Sequence, residues 1–473
     1  MTRIVIAGAG IAGLSIAHAI RERDPAVDLV VLEGADRPGG NVRTEVLDGY
    51  TCEWGPDGFL DNAPDTLRLA HDVGLDSRVL PSNDSARRRF IFRAGRLHEA
   101  PLSPVAFLRS GLLSPLGKAR IAWEPFARRR PEIDETIHEF AERRIGREAA
   151  TIMIDSMVSG IFAGDARALS LRACFPKMWQ MESDHGGLFR AMLATRRRRA
   201  AAVRTEGMGQ PAGRLTSFTA GMRELIDGVA AAVGGALRVS TPVIGLRPGT
   251  SALAFRSDLA PSGFTVITPR RTRDADAVVL TGPSSDAAGL VRPFDSTLAS
   301  VLADIETAPL AVVAMGFEAA GLAADRGPLD GFGFLVPRCE GIRILGALWE
   351  SSIYADRAPE GKALIRVMIG GARDPGVVDV DDDELVAIVR RELRQTMRLN
   401  VAPEFVRVIR HRRGIPQYTR GHVARLQRID TLLQAHRGLF LAGNSYRGVS
   451  INSCVAEAGQ IADNVLRVGR GEM

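Results

Sequence analysis

The sequence predicts a mixed α/β and α+β chain, with a Rossmann-like nucleotide-binding domain assembled from discontinuous segments, an antiparallel-sheet domain and a helical insert. Three observations carry this. The first 33 residues read strand, glycine-rich turn, helix, strand. Further strand-turn-helix units return near Leu215, Arg273 and Leu439, and the stretches between them switch from helical to alternating apolar periodicity. At 473 residues and 45% hydrophobic content the chain has room for two or three domains with cores of their own, which excludes a disordered protein.

The N-terminal unit is the most explicit. RIVIAGAGIAGLSIAHAIRER sets a short β-branched strand before Gly8, Gly10 and Gly13, then an apolar helical stripe through Leu14, Ala17 and Ile20. The first glycine of such a motif makes the tight turn, the second admits backbone close to a pyrophosphate, and the third lets helix lie on strand. Ala9, Ile11 and Ala12 complete a turn whose phosphates meet the helix N-terminus. A second strand, DLVVLE, ends at Glu33, where a carboxylate suits a ribose diol and repels a 2′-phosphate. NADP is thereby disfavoured, and the unit alone leaves FAD and NAD open.

GADRPGGNVRT and EWGPDGFL follow directly. Arg37, Gly40, Asn41 and Arg43, then Gly55, Pro56, Asp57 and Gly58, suit an extended cofactor that lies across the domain, its phosphates neutralised and its distal ring lodged under backbone. A mobile nicotinamide needs no such stretch.

By pattern the nucleotide-binding domain takes residues 1–86, 205–285 and 416–473, with a hairpin at 87–101, the helical insert at 102–204 and the sheet domain at 286–415. LTSFTAGMRELIDGVAAAVGG reads as strand, turn and helix, ALRVSTPVIGLRP brings in Val243, and RDADAVVLTGP is a buried strand running into a glycine turn. LFLAGNSYRGVSINSCVAEAG is the last such unit, a strand, a turn at Gly443, and a helix from Val449, Ser450 and Ile451. In the insert, Phe107, Leu108, Leu112, Leu113, Trp123 and Phe126 share space with many arginines. Two readings stand there, a helical subdomain that buries these side chains and an amphipathic surface on an anionic bilayer. LAVVAMGFE, GFGFLVP, IRILGALWESS and ALIRVMIGGAR alternate as sheet and would wall an apolar cavity for a bulky substrate.

Other classes are disfavoured. The charge of +6 rests on 61 basic residues, of which only Lys118, Lys177 and Lys362 are lysine, so it reflects an arginine bias rather than a partner. The run ATRRRRAAAVR has no interleaved aromatics or nucleic-acid motif and reads as a solvated loop. Cys52, Cys174, Cys339 and Cys454 show no metal or disulfide spacing, the eight histidines none either, and a reducing, cytoplasmic setting is expected. No signal peptide and no apolar run long enough to span a membrane is read.

ARRRFIFRAGRLHEAP, FAERRIGREAATIMIDSMVSGIFAGDARALS, GFGFLVP, LGALWESSIYADRAP, MIGGARDP, RGIPQYTRGH and LAGNSYRGVSINSCVAEAG resemble, in order, blocks of the oxygen-dependent protoporphyrinogen and coproporphyrinogen III oxidase family, bacterial branch. That family lies within the FAD-dependent amine oxidase-like superfamily. The resemblance implies FAD and a tetrapyrrole substrate. It implies six-electron oxidation of a porphyrinogen with oxygen as acceptor, hydrogen peroxide formed, and no catalytic side chain. It implies further that Arg89 pairs with a propionate, that the Gly160 carbonyl faces the pyrrole nitrogens, and that Leu335, Leu348 and Met368 sandwich the ring. Met368 stands where a phenylalanine is common. Val243 is expected along the adenine, and the helix at Val449, Ser450 and Ile451 at the flavin N1–C2=O edge. Peripheral contact with the inner face of the membrane, a ferrochelatase-like downstream enzyme, and a monomer or homodimer are the associations implied. Protoporphyrinogen IX and coproporphyrinogen III stay open as substrates. The rival readings are a flavin amine oxidase or carotenoid desaturase, and a porphyrin-binding flavoprotein without turnover. Against the first, no lysine lies between Lys177 and Lys362 to stand near a flavin N5.

Overall fold

Ile4, Val5 and Ile6 are fully enclosed, the sequence character of a parallel strand covered on both faces. In the computed structural model, which describes residues 2–101, 103–130, 132–195, 213–249 and 263–470, their strand Arg3–Ala7 is the centre of a five-stranded parallel sheet. The spatial order is Leu237–Arg238, Asp28–Leu32, Arg3–Ala7, Ala277–Leu280, Leu439–Leu441. Four separated stretches of chain therefore build one sheet, and the order reverses beside the first strand, where doubly wound sheets open their ligand crevice. Helices Ile11–Arg23, Arg223–Val233 and Ile451–Arg470 cover one face, with Leu14, Ile20, Leu225, Val229 and Val465 in its core. Val5, Val30, Leu280, Leu298 and Leu441 fill the other.

LTSF does form a strand, Leu215–Phe218, but not in that sheet. It pairs with Phe59–Leu60 and Val79–Pro81 in a small antiparallel sheet that lies beside the glycine loops.

The second large sheet has seven strands in the order Phe405–Pro416, Thr307–Glu318, Lys362–Gly370, Ile344–Leu348, Gly333–Leu335, Arg89–Arg93, Arg96–Glu99. All its pairs are antiparallel save one. Gly333–Leu335 runs parallel to Arg89–Arg93 because the Arg89–Glu99 hairpin arrives from far earlier in the chain, so no tight turn sets its direction. Alternation sorts the faces. Phe90, Phe92, Phe334, Ala347, Ile365, Val367 and Ile369 share a core with Leu385, Ile388, Val389 and Leu393 of the helix Asp382–Met397. The intervening residues Leu364, Arg366 and Met368 lie on the other face, where Leu364 meets Tyr50 and Cys52 of the nucleotide domain.

The insert is helical, including Pro104–Arg109, Pro115–Ala122, Ile137–Ile145, Asp155–Phe162 and Pro176–His185. Thr136 and Glu139 form a reciprocal capping box at the start of the third of these. Of the six apolar residues read there, Leu112 and Leu113 are buried and Phe107 is partly buried against the same small core. Leu108, Trp123 and Phe126 are 66%, 62% and 70% exposed, because they sit on the outer side of short, proline-started helices too small to cover them. Most of ATRRRRAAAVR lies outside the described residues. Among the described residues no helix is long and apolar enough to cross a membrane, and no group of three or more His, Cys, Asp or Glu is placed to hold a metal ion.

Candidate flavin and substrate site

The first turn closes on itself. Gly8, at φ +109°, donates its N–H to the Leu32 carbonyl at 2.8 Å, and Thr281 Oγ1 donates to the carbonyls of Ala7 and Gly8. A Cβ on Gly13 would stand 2.0 Å from the Gly8 carbonyl oxygen, so only glycine lets the helix lie this close to the strand. A Cβ on Gly10 would meet nothing within 4 Å. Ile11 and Ala12 open the helix above it, and Ala9 gives its N–H to Glu33 Oε2 at 2.7 Å. The other Glu33 oxygen accepts from Ala35 N–H at 2.9 Å, so this carboxylate pins the glycine turn as well as ending the second strand.

The Arg37–Arg43 loop is laid on that turn. Gly39 donates to the Ala9 carbonyl at 2.7 Å, and Gly40, at φ +58°, packs on Gly10. Arg37 donates to the carbonyls of Pro38 and Gly40, each at 3.1 Å, shaping its own loop. Arg43 departs from the expected phosphate role. Its guanidinium stacks over Trp54 at 3.7 Å and pairs with Glu45 at 3.3 Å. Gly55 and Gly58 are glycines for packing, since Cβ atoms there would stand 2.3 Å from the Asn41 and Thr216 carbonyl oxygens. Pro56 lies between, and Asp57 turns its carboxylate away to an ion pair with Arg366. The Val243 segment touches the end of the second strand, where Pro242 lies 3.4 Å from a Cβ on Gly34, and Val243 itself is half-buried on the sheet's second core.

The far end of the chain completes the same site. Gly443, at φ +103°, stands where a Cβ would be 3.2 Å from the Thr281 carbonyl oxygen and 3.5 Å from Ala12 Cβ. Tyr418 shapes the loop behind it, donating its hydroxyl to the Asn444 carbonyl at 2.5 Å and accepting from Gly448 N–H at 2.8 Å. The helix itself starts at Ile451, with Ser450 Oγ accepting from Ser453 N–H at 3.1 Å as its cap. Val449 precedes it and packs instead against the insert's core.

Arg89, Leu335, Leu348 and Met368 share the sheet face that looks away from the Asp382–Met397 helix. Gly160, in the helix Asp155–Phe162, joins them: a Cβ on it would be 2.6 Å from Leu335 Cδ2, so bare backbone meets that side chain. Leu348 is buried against Ile353 and Tyr354, while Leu335 and Met368 are half-buried. Of three consecutive arginines, Arg87 pairs with Asp84 and Arg88 with Glu99 and Asp330. Arg89 stacks over Phe332 at 4.7 Å and has no carboxylate partner among the described residues; its side chain is exposed, yet desolvation by the protein around it lowers its pKa from the ordinary guanidinium value.

Sequence reasoning missed a buried polar seam between the two sheets, formed by Glu53, Asp57, Glu350, Arg357 and Arg366. Burial pushes the Glu53 carboxyl up to about 7 despite its bonds from Met222 N–H and Thr44 Oγ1, and raises Glu350 as well. The available signal was Arg366 itself, a lone cation inside the apolar strand ALIRVMIGG.

The residues fit an extended dinucleotide cofactor. The space over Gly10 is open, and beside Gly58 the Tyr354 hydroxyl and the Arg357 Nε and Nη1 atoms are buried without protein partners. A glycine turn at a sheet's switch point, in a chain that also carries a second sheet with an apolar face, is the arrangement of an oxidoreductase with a dinucleotide cofactor. The chain belongs to the family of flavin containing amine oxidoreductases, whose pattern matches residues 11–466. It is 32% identical to the chloroplastic protoporphyrinogen oxidase of Nicotiana tabacum, over 98% of this chain and 85% of that protein. It is 30% identical to the coproporphyrinogen III oxidase of Bacillus subtilis, over 96% and 95%. A provisionally assigned protoporphyrinogen oxidase from Exiguobacterium sp. 255-15 superimposes with a TM-score of 0.82 at 27% identity, over 98% of both chains. The cofactor of this family is FAD, and the open space over Gly10 fits it.

Proposed function

We propose that the chain oxidises a porphyrinogen to the porphyrin in haem biosynthesis, removing six electrons and six protons that end on oxygen as hydrogen peroxide. The observation that carries this is the face of the seven-stranded sheet. Leu335, Leu348 and Met368 make it apolar, and Arg89 at its end has no carboxylate partner among the described residues. Protein relatives named for both porphyrinogens, matching over nearly the whole chain, support the same reading. Bound FAD would supply the hydride acceptor, and the redox chemistry is the cofactor's. The chain's residues bind, orient and exclude. Arg89 would offer a planar two-point fork to a propionate, the apolar face would keep water from the macrocycle, and the backbone at Gly160, which lies against Leu335, would present its carbonyl to the ring nitrogens.

Initial rates on protoporphyrinogen IX and coproporphyrinogen III, side by side, test the reaction and rank the substrates. Turnover of neither would discard it. Arg89→Ala should raise KM about ten- to a hundredfold, the worth of a charged hydrogen bond, with a smaller effect on kcat. An unchanged KM removes Arg89 from the site.

We infer also that the exposed side of the insert rests on an anionic bilayer. Leu108, Leu116, Trp123 and Phe126 are exposed apolar side chains, the Trp123 and Phe126 rings in tilted contact at 4.9 Å, with Arg109, Lys118 and Arg128 close by in sequence. Flotation with phosphatidylglycerol-containing vesicles is expected for the wild type and not for Trp123→Ser with Phe126→Ser. Absence of wild-type flotation overturns the inference.

A further inference from the structure

Arg366 lies enclosed at the seam where the two sheets meet, and it touches three pieces of the site at once. Its Nη1 donates to the carbonyls of Glu53 at 3.1 Å and Gly55 at 2.7 Å, and its Nη2 pairs with Asp57. Its Nε lies 2.7 Å from Glu350 Oε1, close but not pointing at it. One guanidinium thereby joins its own strand, with Met368 two residues on, to the loop Gly55–Gly58 and to the residue two beyond Leu348. Arg366 and Leu348 are register partners across the sheet. A second buried guanidinium stands beside it, Arg357, whose Nη2 donates to Ser217 Oγ at 2.9 Å and the Phe218 carbonyl at 3.1 Å.

The chemistry of the group makes it a spacer. A guanidinium presents its N–H groups in one rigid plane, so its three acceptors, the Glu53 and Gly55 carbonyls and the Asp57 carboxylate, are held at set distances and angles from each other. Adhesion alone does not call for this, because apolar side chains of equal volume join two buried surfaces at least as stably as an ion pair does. The partners are also specific. They are the Glu53 and Gly55 carbonyls and the Asp57 carboxylate, in and next to the Gly55–Gly58 loop, and Glu350, two residues past the strand that carries Leu348, while Arg366 itself lies within the strand that carries Met368.

We propose that Arg366 is a positioning residue, which sets the spacing between the Gly55–Gly58 loop and the sheet face carrying Leu348 and Met368, the two surfaces between which cofactor and substrate meet. The identity of what enters that space rests on the reading given above, and the effect on the loop does not. The test compares wild-type, Arg366→Lys and Arg366→Met holoenzymes for melting temperature, visible circular dichroism of the bound flavin, and KM and kcat with a porphyrinogen. Lysine keeps the charge but offers a point in place of a fork. Arg366→Lys is expected to keep its flavin, to change the flavin's circular dichroism, and to raise KM about tenfold, in line with small displacements in a preorganised site. A residue that only holds the fold together would lower the melting temperature and leave the flavin signal and KM as in the wild type, and that result overturns the proposal. Should the Arg366 variants fail to fold, Glu350→Gln decides, since it keeps shape and leaves Arg366 paired with Asp57. An altered flavin signal supports the proposal and an unaltered signal with unaltered KM overturns it. A wild-type protein that does not oxidise porphyrinogens sinks the substrate reading, while the flavin signal still decides the role of Arg366.

Discussion

Gly10→Ala and Gly13→Ala are both expected to yield protein that purifies without yellow colour, for opposite physical reasons. A methyl group on Gly13 would stand 2.0 Å from the Gly8 carbonyl oxygen and 2.9 Å from Thr281 Oγ1, so the helix Ile11–Arg23 must lift off its strand. Overpacking of this kind costs about 1–3 kcal/mol and displaces the helix N-terminus that faces the phosphates. On Gly10 the same methyl meets no protein atom within 4 Å. That variant should melt at the wild-type temperature and still lose flavin, because the space it fills is the cofactor's. Flavin absorbance per polypeptide, measured with melting temperature, separates the two outcomes. Stoichiometric flavin in Gly10→Ala would contradict the assignment of this turn.

Arg144→Met should cost about 3–5 kcal/mol in the helical insert, the penalty of leaving a buried carboxylate without its partner. Arg144 and Glu124 are both wholly enclosed and paired. Arg144 also donates to the carbonyls of Ala127 and Gly186, at 3.1 Å each. Glu124 accepts the N–H groups of Leu188 at 2.8 Å and Phe189 at 3.1 Å. The pair ties the segment bearing Trp123 and Phe126 to the helices behind it. Loss of one partner should appear as faster proteolysis within the insert and a separate early transition in calorimetry. Adding Glu124→Leu to Arg144→Met should recover part of the loss, since the orphaned carboxylate is then gone and Glu182, the other buried carboxylate near Arg144, keeps its pair with Arg143. A single unshifted transition in Arg144→Met would show that the pair contributes nothing.

The glycine turn was legible in the sequence because its signal is local: three glycines at fixed spacing, a β-branched strand before them and an apolar helix after. The same holds for the strands of the second sheet, whose period-two alternation sorts Val367 and Ile369 to one face and Arg366 and Met368 to the other. The roles of individual charged groups were not legible. Arg43 reads as a phosphate ligand from its place after Gly40, yet the aromatic ring of Trp54 and the carboxylate of Glu45 occupy it. Asp57 reads as a cofactor contact, yet it faces a guanidinium 309 residues away along the chain.

The nucleotide-binding core, the apolar second sheet and the helical character of the insert are written in local pattern, because periodicity and glycine spacing act over a few residues. It took the packing of distant segments to show that Arg87 and Arg88 pair with carboxylates while Arg89 has none among the described residues, that Trp123 and Phe126 face outward, and that Arg366 bridges the two sheets. Ion pairing and burial are settled by which distant segments come to lie against each other, and no local pattern encodes that.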